Sequence, residues 1–180
     1  MQRKKMPQCR CLYSKPHWDH RGYFLESFRE EESVAQLGFH LFQINEVFSY
    51  YGAIRGLHMQ KSPYGQAKII QVLQGNILDI AVDVRPESTN FGQVVRNTLR
   101  AAERKKLYIP VGFLHGYAVL SATALVQYYV DAPYLPEYEV GVRYDDASLK
   151  IDWLLLEEEQ LVSKKDLSLP SFEQFLDRNA

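Results

Sequence analysis

Two short runs carry the residues best suited to chemistry. Ile54-Arg55-Gly56-Leu57-His58-Met59-Gln60 and Ile109-Pro110-Val111-Gly112-Phe113-Leu114-His115-Gly116-Tyr117 each deliver one histidine. In the first run apolar and polar residues nearly alternate, which predicts a strand with one solvated or ligand-facing side. Side chains two apart share a face, so Gly56, His58 and Gln60 should point one way and Leu57 and Met59 the other. A glycine two residues before His58 leaves room for a bulky group beside the imidazole. An imidazole titrates near neutral pH and so suits a general base, although a lone histidine also serves as a satisfied structural group. By the same alternation Arg55 falls on the side opposite His58. It would need a twist or bulge of the strand to reach a ligand on the histidine's face.

A second strand, 76–85, puts Leu78, Ile80, Val82 and Val84 on one face and Ile77, Asp79, Ala81 and Asp83 on the other. Two carboxylates on one face are either solvated or paired with a cation or histidine, because an unpaired buried carboxylate is costly. His115 is a candidate partner. Its Pro-x-Gly-x-x-His run predicts a tight turn that sets the histidine at the start of the next strand. The same run is half of a cupin pattern, but the other half has Gln60 where a second histidine would stand, and no following Glu. Two imidazoles and a carboxamide make a poor site for zinc, iron or manganese. The expectation is therefore no metal.

The elements that must position these groups read as mostly β. The pattern predicts strands over 39–48, 53–60, 67–74, 76–85, 91–99, 106–110, 116–120, 124–130 and 141–144. Pro63, Gly65, Gly75, Pro86, Gly112, Pro133 and Pro136 mark turns between them. Strands at this spacing mean an all-β sandwich or barrel. Short β runs flank a turn at Asp19-His20-Arg21-Gly22, within and just after an N-terminal extension over 1–18. Helices are predicted over 29–37, with Gly38 as cap, and in a C-terminal helical tail (154–180) at 154–161 and 172–176.

A chain of 180 residues, 46% hydrophobic, fits one domain spanning 1–180 with an ample core. A formal net charge of -1 gives no nucleic-acid footprint. No apolar run approaches the roughly eighteen residues of a membrane span. The basic start, Met1 to Pro7, lacks the apolar stretch of a secretory signal. Cys9 and Cys11 are too few for a zinc site or a disulfide framework and read as free thiols of a cytoplasmic protein.

In order and spacing, several motifs together resemble the cupin-type dTDP-4-dehydrorhamnose 3,5-epimerases, from about Asp19 to about Asp166. They are Arg21-Gly22-Tyr23-Phe24-Leu25-Glu26, Gln43-Ile44-Asn45, the His58 run, Gln66-Ala67-Lys68, the strand from Leu78 to Arg85, the His115 run, Tyr128 followed by Tyr134-Leu135-Pro136-Glu137-Tyr138-Glu139, and Ser163-Lys164-Lys165-Asp166. The resemblance implies a double-sheet jelly roll with a few short helices, usually a homodimer. It implies inversion of C3 and C5 of a dTDP-4-keto-6-deoxyhexose with no cofactor and no metal. Carried over by motif, His58 is the base and Asp166 its orienting partner. Lys68 faces the C4 oxygen, Tyr128 is the proton donor from the opposite side, Tyr134 touches the sugar, and Asp79 pairs with His115. Arg21, Arg55 and Lys165 meet the diphosphate. Phe24, Glu26, Gln43 and Asn45 hold the nucleotide, and Gln60 belongs to the binding set.

These types suit the reaction. Hydrogens at C3 and C5 flank a ketone, so removing one gives an enolate. That needs a base on one face, a donor on the other and a cation near the oxyanion. Adjacent Tyr128 and Tyr129 cannot both face the site, and periodicity does not choose between them. Val47, Thr89, Val111 and Tyr144 depart from the family pattern without removing any of these groups. A mono-epimerase, a 3,4-ketoisomerase, a non-catalytic sugar-nucleotide-binding cupin and an iron-dependent cupin oxygenase are the competing readings.

Overall fold

The computed structural model describes residues 6–179. Its strands, in chain order, are β1 (Arg10–Tyr13), β2 (His17–Asp19), β3 (Gly22–Phe24), β4 (Gln43–Tyr50), β5 (Ala53–Gln60), β6 (Lys68–Gln74), β7 (Asn76–Asp83), β8 (Val94–Arg100), β9 (Lys105–Ile109), β10 (Phe113–Val119), β11 (Thr123–Val130), β12 (Glu139–Gly141) and β13 (Leu161–Val162). The helices are α1 (Glu30–Leu37), α2 (Lys164–Leu167) and α3 (Phe172–Asn179). One sheet runs β1-β9-β6-β11-β4. The other runs β12-β5-β10-β7-β8, with β13 added in parallel to β5. The two face each other as the double-sheet jelly roll expected from the sequence.

Alternation along the strands decides what goes where. Ile70, Val72 and Val126 of the first sheet meet Ile77, Ala81, Phe113 and Tyr117 of the second, all buried. The other face of the second sheet, Leu57, Leu78, Ile80, Val82 and Leu114, is covered by Trp153 and by Phe175 of α3. The outer face of the first sheet, Ile69, Tyr108 and Tyr129, lies under Phe39, Phe28 and Leu37. α1 ends where Gly38 takes φ 68, a left-handed cap that turns the chain toward Phe39.

Four expectations are corrected. Residues 39–42 are not strand, because Phe39 is buried under α1 while β4 begins at Gln43. The strand expected over 141–144 lies at Glu139–Gly141 instead, paired with β5. The helix expected over 154–161 is one 3-10 turn, Glu157–Glu159, followed by β13. Leu154 and Leu156 stay exposed there, so a helix would have had no apolar face to bury. Arg55 is not opposed to His58. His58 pairs with His115 and Arg55 with Tyr117, so three steps along β5 match two along β10. The extra residue is a bulge that resets the alternation. Gly56 permits it, with φ 117 and the backbone of His115 and Gly116 so close that a Cβ would sit 2.6 Å from each.

Candidate active site

Between the sheets a cleft of about 160 Å³ is walled by Arg55, His58, Gln66, Lys68, His115, Tyr128, Tyr134 and Glu139. Arg55, His58 and His115 come from the second sheet, and Lys68 and Tyr128 from the first. The bulge at Gly56 is what brings Arg55 to the same cleft as His58.

His58 Nε2 lies 2.8 Å from Asp166 Oδ1. Asp166 is buried in α2, with its backbone N–H donating to Ser163 Oγ at 3.1 Å, and its second oxygen faces the Gly56 N–H at 3.5 Å. Burial pushes the Asp166 carboxyl up, but the bonds from His58 and its other donors outweigh it and hold the group below the usual carboxylate range. An ionised Asp166 only accepts, so Nε2 carries a proton, and in the neutral imidazole it is Nδ1 that keeps the lone pair. Nδ1 stands 4.0 Å from Glu139 Oε1.

Opposite, Tyr128 sits edge-on to His115, with ring centroids 6.0 Å apart. Burial, and then Tyr117 beside it, hold its phenol well above the ordinary range, so it is protonated at neutral pH. Tyr129 faces the other way, donating to Gln71 Oε1 at 3.0 Å and stacking on Phe28. The pair that periodicity left open is thus divided between cleft and core. Lys68 opens β6, and burial pulls its ammonium pKa down against the opposing charges of Glu139 and Asp131.

Both β7 carboxylates are paired. Asp79 Oδ2 lies 2.9 Å from His115 Nε2, and Asp83 binds Arg85 through two nitrogens. Burial raises Asp79, with His115 pulling the other way. Tyr134, half exposed at the lip, donates to Glu139 Oε2 at 3.2 Å, and Lys165 Nζ donates to the same oxygen. Arg55 Nε donates to Ser49 Oγ at 3.0 Å.

Six assigned residues do not reach the cleft in this chain. Gln60 is buried and spent on backbone: Nε2 donates to the Tyr64 and Pro133 carbonyls at 2.8 and 3.0 Å, and Oε1 accepts from Leu135 N–H at 2.6 Å. It therefore holds the loop that carries Tyr134 and is not a wall of the site. Arg21 is exposed and paired with Asp19 at 2.7 Å, Glu26 is paired with Arg29 at 2.6 Å, and Phe24 is 71% exposed. Gln43 and Asn45 bond each other on edge strand β4, where Asn45 is the register partner of Tyr128. Sequence reasoning gave no role to Glu139 or Gln66. Glu139 opens the short strand β12, and Gln66 is tied to the loop before Tyr134 by its Nε2, which donates to the Ala132 carbonyl at 2.6 Å, a contact that no strand or helix period encodes. Among the described residues no group of three or more His, Cys, Asp or Glu is placed to hold a metal ion.

Comparison with known proteins points to one family. The sequence profile of a family described as dTDP-4-dehydrorhamnose 3,5-epimerase matches residues 3–174. The protein of that name from Sinorhizobium fredii is 40% identical over 157 residues, covering 85% of this chain and 79% of its own. The crystal structure of the Elizabethkingia anophelis dTDP-4-dehydrorhamnose 3,5-epimerase superposes with a TM-score of 0.89 at 37% identity, covering 96% of this chain and 95% of that one. The Legionella pneumophila 3,5-epimerase, solved in complex with dTDP-4-keto-L-rhamnose, gives 0.87 at 37%, covering 94% and 90%.

Proposed function

This chain belongs to the dTDP-4-dehydrorhamnose 3,5-epimerase family, and we propose that it inverts C3 and C5 of a dTDP-4-keto-6-deoxyhexose by proton transfer through an enolate. The observation that carries this reading is the opposition, across one cleft, of an Asp166-held imidazole and a protonated phenol. His58 takes the proton next to the ketone through the free Nδ1. Asp166 stabilises the imidazolium that results, as a buried carboxylate does for a catalytic histidine. Lys68 supports the negative charge gathering on the C4 oxygen. Tyr128 returns a proton to the opposite face, and the centre is inverted.

Arg55, with its terminal nitrogens free of Ser49, and Lys165 at the lip supply charge for a diphosphate. Tyr134 and Glu139 close the sugar end. The buried His115–Asp79 pair stands beside Tyr128 and fixes the wall against which it turns.

The working form in this proposal is a homodimer. β4 is an edge strand whose outward face, Ile44, Phe48 and Tyr50 with Phe42 just before it, is exposed and apolar but for Glu46 among them. An unpaired apolar edge of that length favours association. A second subunit also offers a way for Arg21, Phe24 and Glu26 to meet a nucleotide. Free Cys9 and Cys11 support a cytoplasmic location, and no described helix is long and apolar enough to cross a membrane.

The test is incubation with dTDP-4-keto-6-deoxyglucose in D2O, followed by proton NMR. Inverted product carrying deuterium at both C3 and C5 is expected. Label at one carbon alone would assign a mono-epimerase, and unchanged substrate would reject the enzymatic reading.

A further inference from the structure

The second sheet carries another cavity, on the side away from the cleft. It holds about 760 Å³ between α3 and the turns after β5, after β7 and before β10, and it shares no wall residue with the cleft of His58 and Tyr128. Met59, Val84, Phe175 and Leu176 give it an apolar floor, continuous with the core beneath α3. Phe91 and Val111 stand at its rim, both exposed. A concave apolar surface of this size, left open to water, is the usual form of a small-molecule site.

Its polar groups are few and their charge is of one sign. No carboxylate among the described residues lines it, whereas Lys61, Arg85 and Arg178 do, in a chain of net charge -1. Arg85 is already committed, to both oxygens of Asp83 and to the Pro7 carbonyl. The Gln60 amide is likewise consumed by the loop on either side of Tyr134. That leaves Lys61, Arg178 and the Ser62 hydroxyl, all exposed at the mouth. Neither Lys61 nor Arg178 has an ion-pair partner among the described residues. A nucleotide or a free sugar would press several donors and acceptors against a floor that cannot receive them, which is costly. A chain of methylenes ending in one anionic group leaves no polar atom unpaired. Its tail meets the floor and its head meets two cations.

We propose that this cavity is a second ligand site, separate from the epimerase cleft, for a small amphiphilic anion: an unbranched acyl chain whose carboxylate is held by Lys61 and Arg178. Burial of the tail supplies the affinity, and the two cations select the head group. The site does not depend on what the cleft catalyses.

Calorimetry on the whole chain with monomeric decanoate tests it. One decanoate should bind per chain, and octanoate, two methylenes shorter, should bind roughly tenfold more weakly. Decanol and decyltrimethylammonium keep the tail but lose the anion. Each should bind about three- to tenfold more weakly than decanoate, the scale of two exposed ion pairs. Lys61→Glu combined with Arg178→Glu should reverse that preference, and Val111→Trp, which fills the rim, should abolish binding while the thermal melt shows the fold kept. If the tryptophan variant fails to fold, the charge-reversed pair, both at exposed positions, still decides. No binding to wild type, an unchanged head-group preference in the charge-reversed variant, or undiminished binding to a folded Val111→Trp overturns the proposal. So does displacement of decanoate by dTDP, which would move the ligand to the cleft. Flotation with phosphatidylglycerol vesicles but no uptake of decanoate would give the cavity to a membrane surface. Self-association abolished by Val111→Trp, again without uptake of decanoate, would give it to a second copy of this chain. Either result rejects the acyl-anion site.

Discussion

His58 and Asp166 stand 108 residues apart in the chain and share a 2.8 Å hydrogen bond. The bond fixes which ring nitrogen holds the proton, and with it which nitrogen can act as a base. Asp166→Asn keeps the shape but removes the charge that stabilises the imidazolium. Turnover should fall by about two to four decades with little change in KM, in the manner of an orienting carboxylate beside a catalytic histidine. Steady-state kinetics that showed only a rise in KM would remove Asp166 from the mechanism.

Lys68→Met should lower kcat by roughly two to three decades, since an oxyanion partner acts in the transition state. Binding of the nucleotide sugar, measured by calorimetry, should change much less. A purely binding defect would reassign the lysine to substrate capture.

Tyr128→Phe should divide the reaction. Proton abstraction by His58 continues and labels the substrate from D2O, but inverted product is lost. Retention of full inversion would mean that another group delivers the proton.

Gln60→Ala leaves the Leu135 N–H and the Tyr64 and Pro133 carbonyls without their amide partner. Stability should drop by about 1–3 kcal/mol, the scale for a buried polar group left unpaired. KM should rise through Tyr134 while kcat is largely kept. Unchanged denaturation and kinetics would show that the loop holds itself.

Lys106 supplies a pH test of the fold. It is buried, donates to the Ser27 carbonyl, and burial lowers its pKa from 10.5 to about 8. Between those values the unfolded chain binds more protons than the folded one, so unfolding free energy from this group rises with pH. Below about pH 8 both states hold the proton and the full cost of burying the charge remains. Denaturant melts at pH 7 and pH 9.5 should show that rise in wild type. Lys106→Met should flatten it and relieve up to about 3 kcal/mol at pH 7, less whatever the Ser27 contact contributes. A wild-type profile already flat would contradict the assignment.

How much of this was legible in the chain depends on the kind of signal. The strand at Ala53–Gln60 has the bounds its alternation predicts, and Gly38 caps α1 as a helix-ending glycine should. Asp79 and Asp83 share a face, as period two requires, and both are paired rather than solvated. Three things escaped. Strict alternation set Arg55 against His58, because a bulge is a relation between two strands and only β10 reveals it. Gln60 looked like a ligand contact by its face, yet its amide is consumed by a loop 73 to 75 residues further on. Glu139 had no periodic neighbour to mark it, although Lys165, Tyr134 and His58 all converge on its carboxylate.

Every step of the proposed reaction begins with His58 removing the proton beside a ketone. The most direct measurement compares wild type with His58→Gln, in D2O with dTDP-4-keto-6-deoxyglucose, and follows the C3 and C5 proton signals by NMR. Both signals should vanish in wild type and persist in the variant, while the variant still binds the nucleotide sugar. Loss of either signal in His58→Gln at the wild-type rate would contradict it.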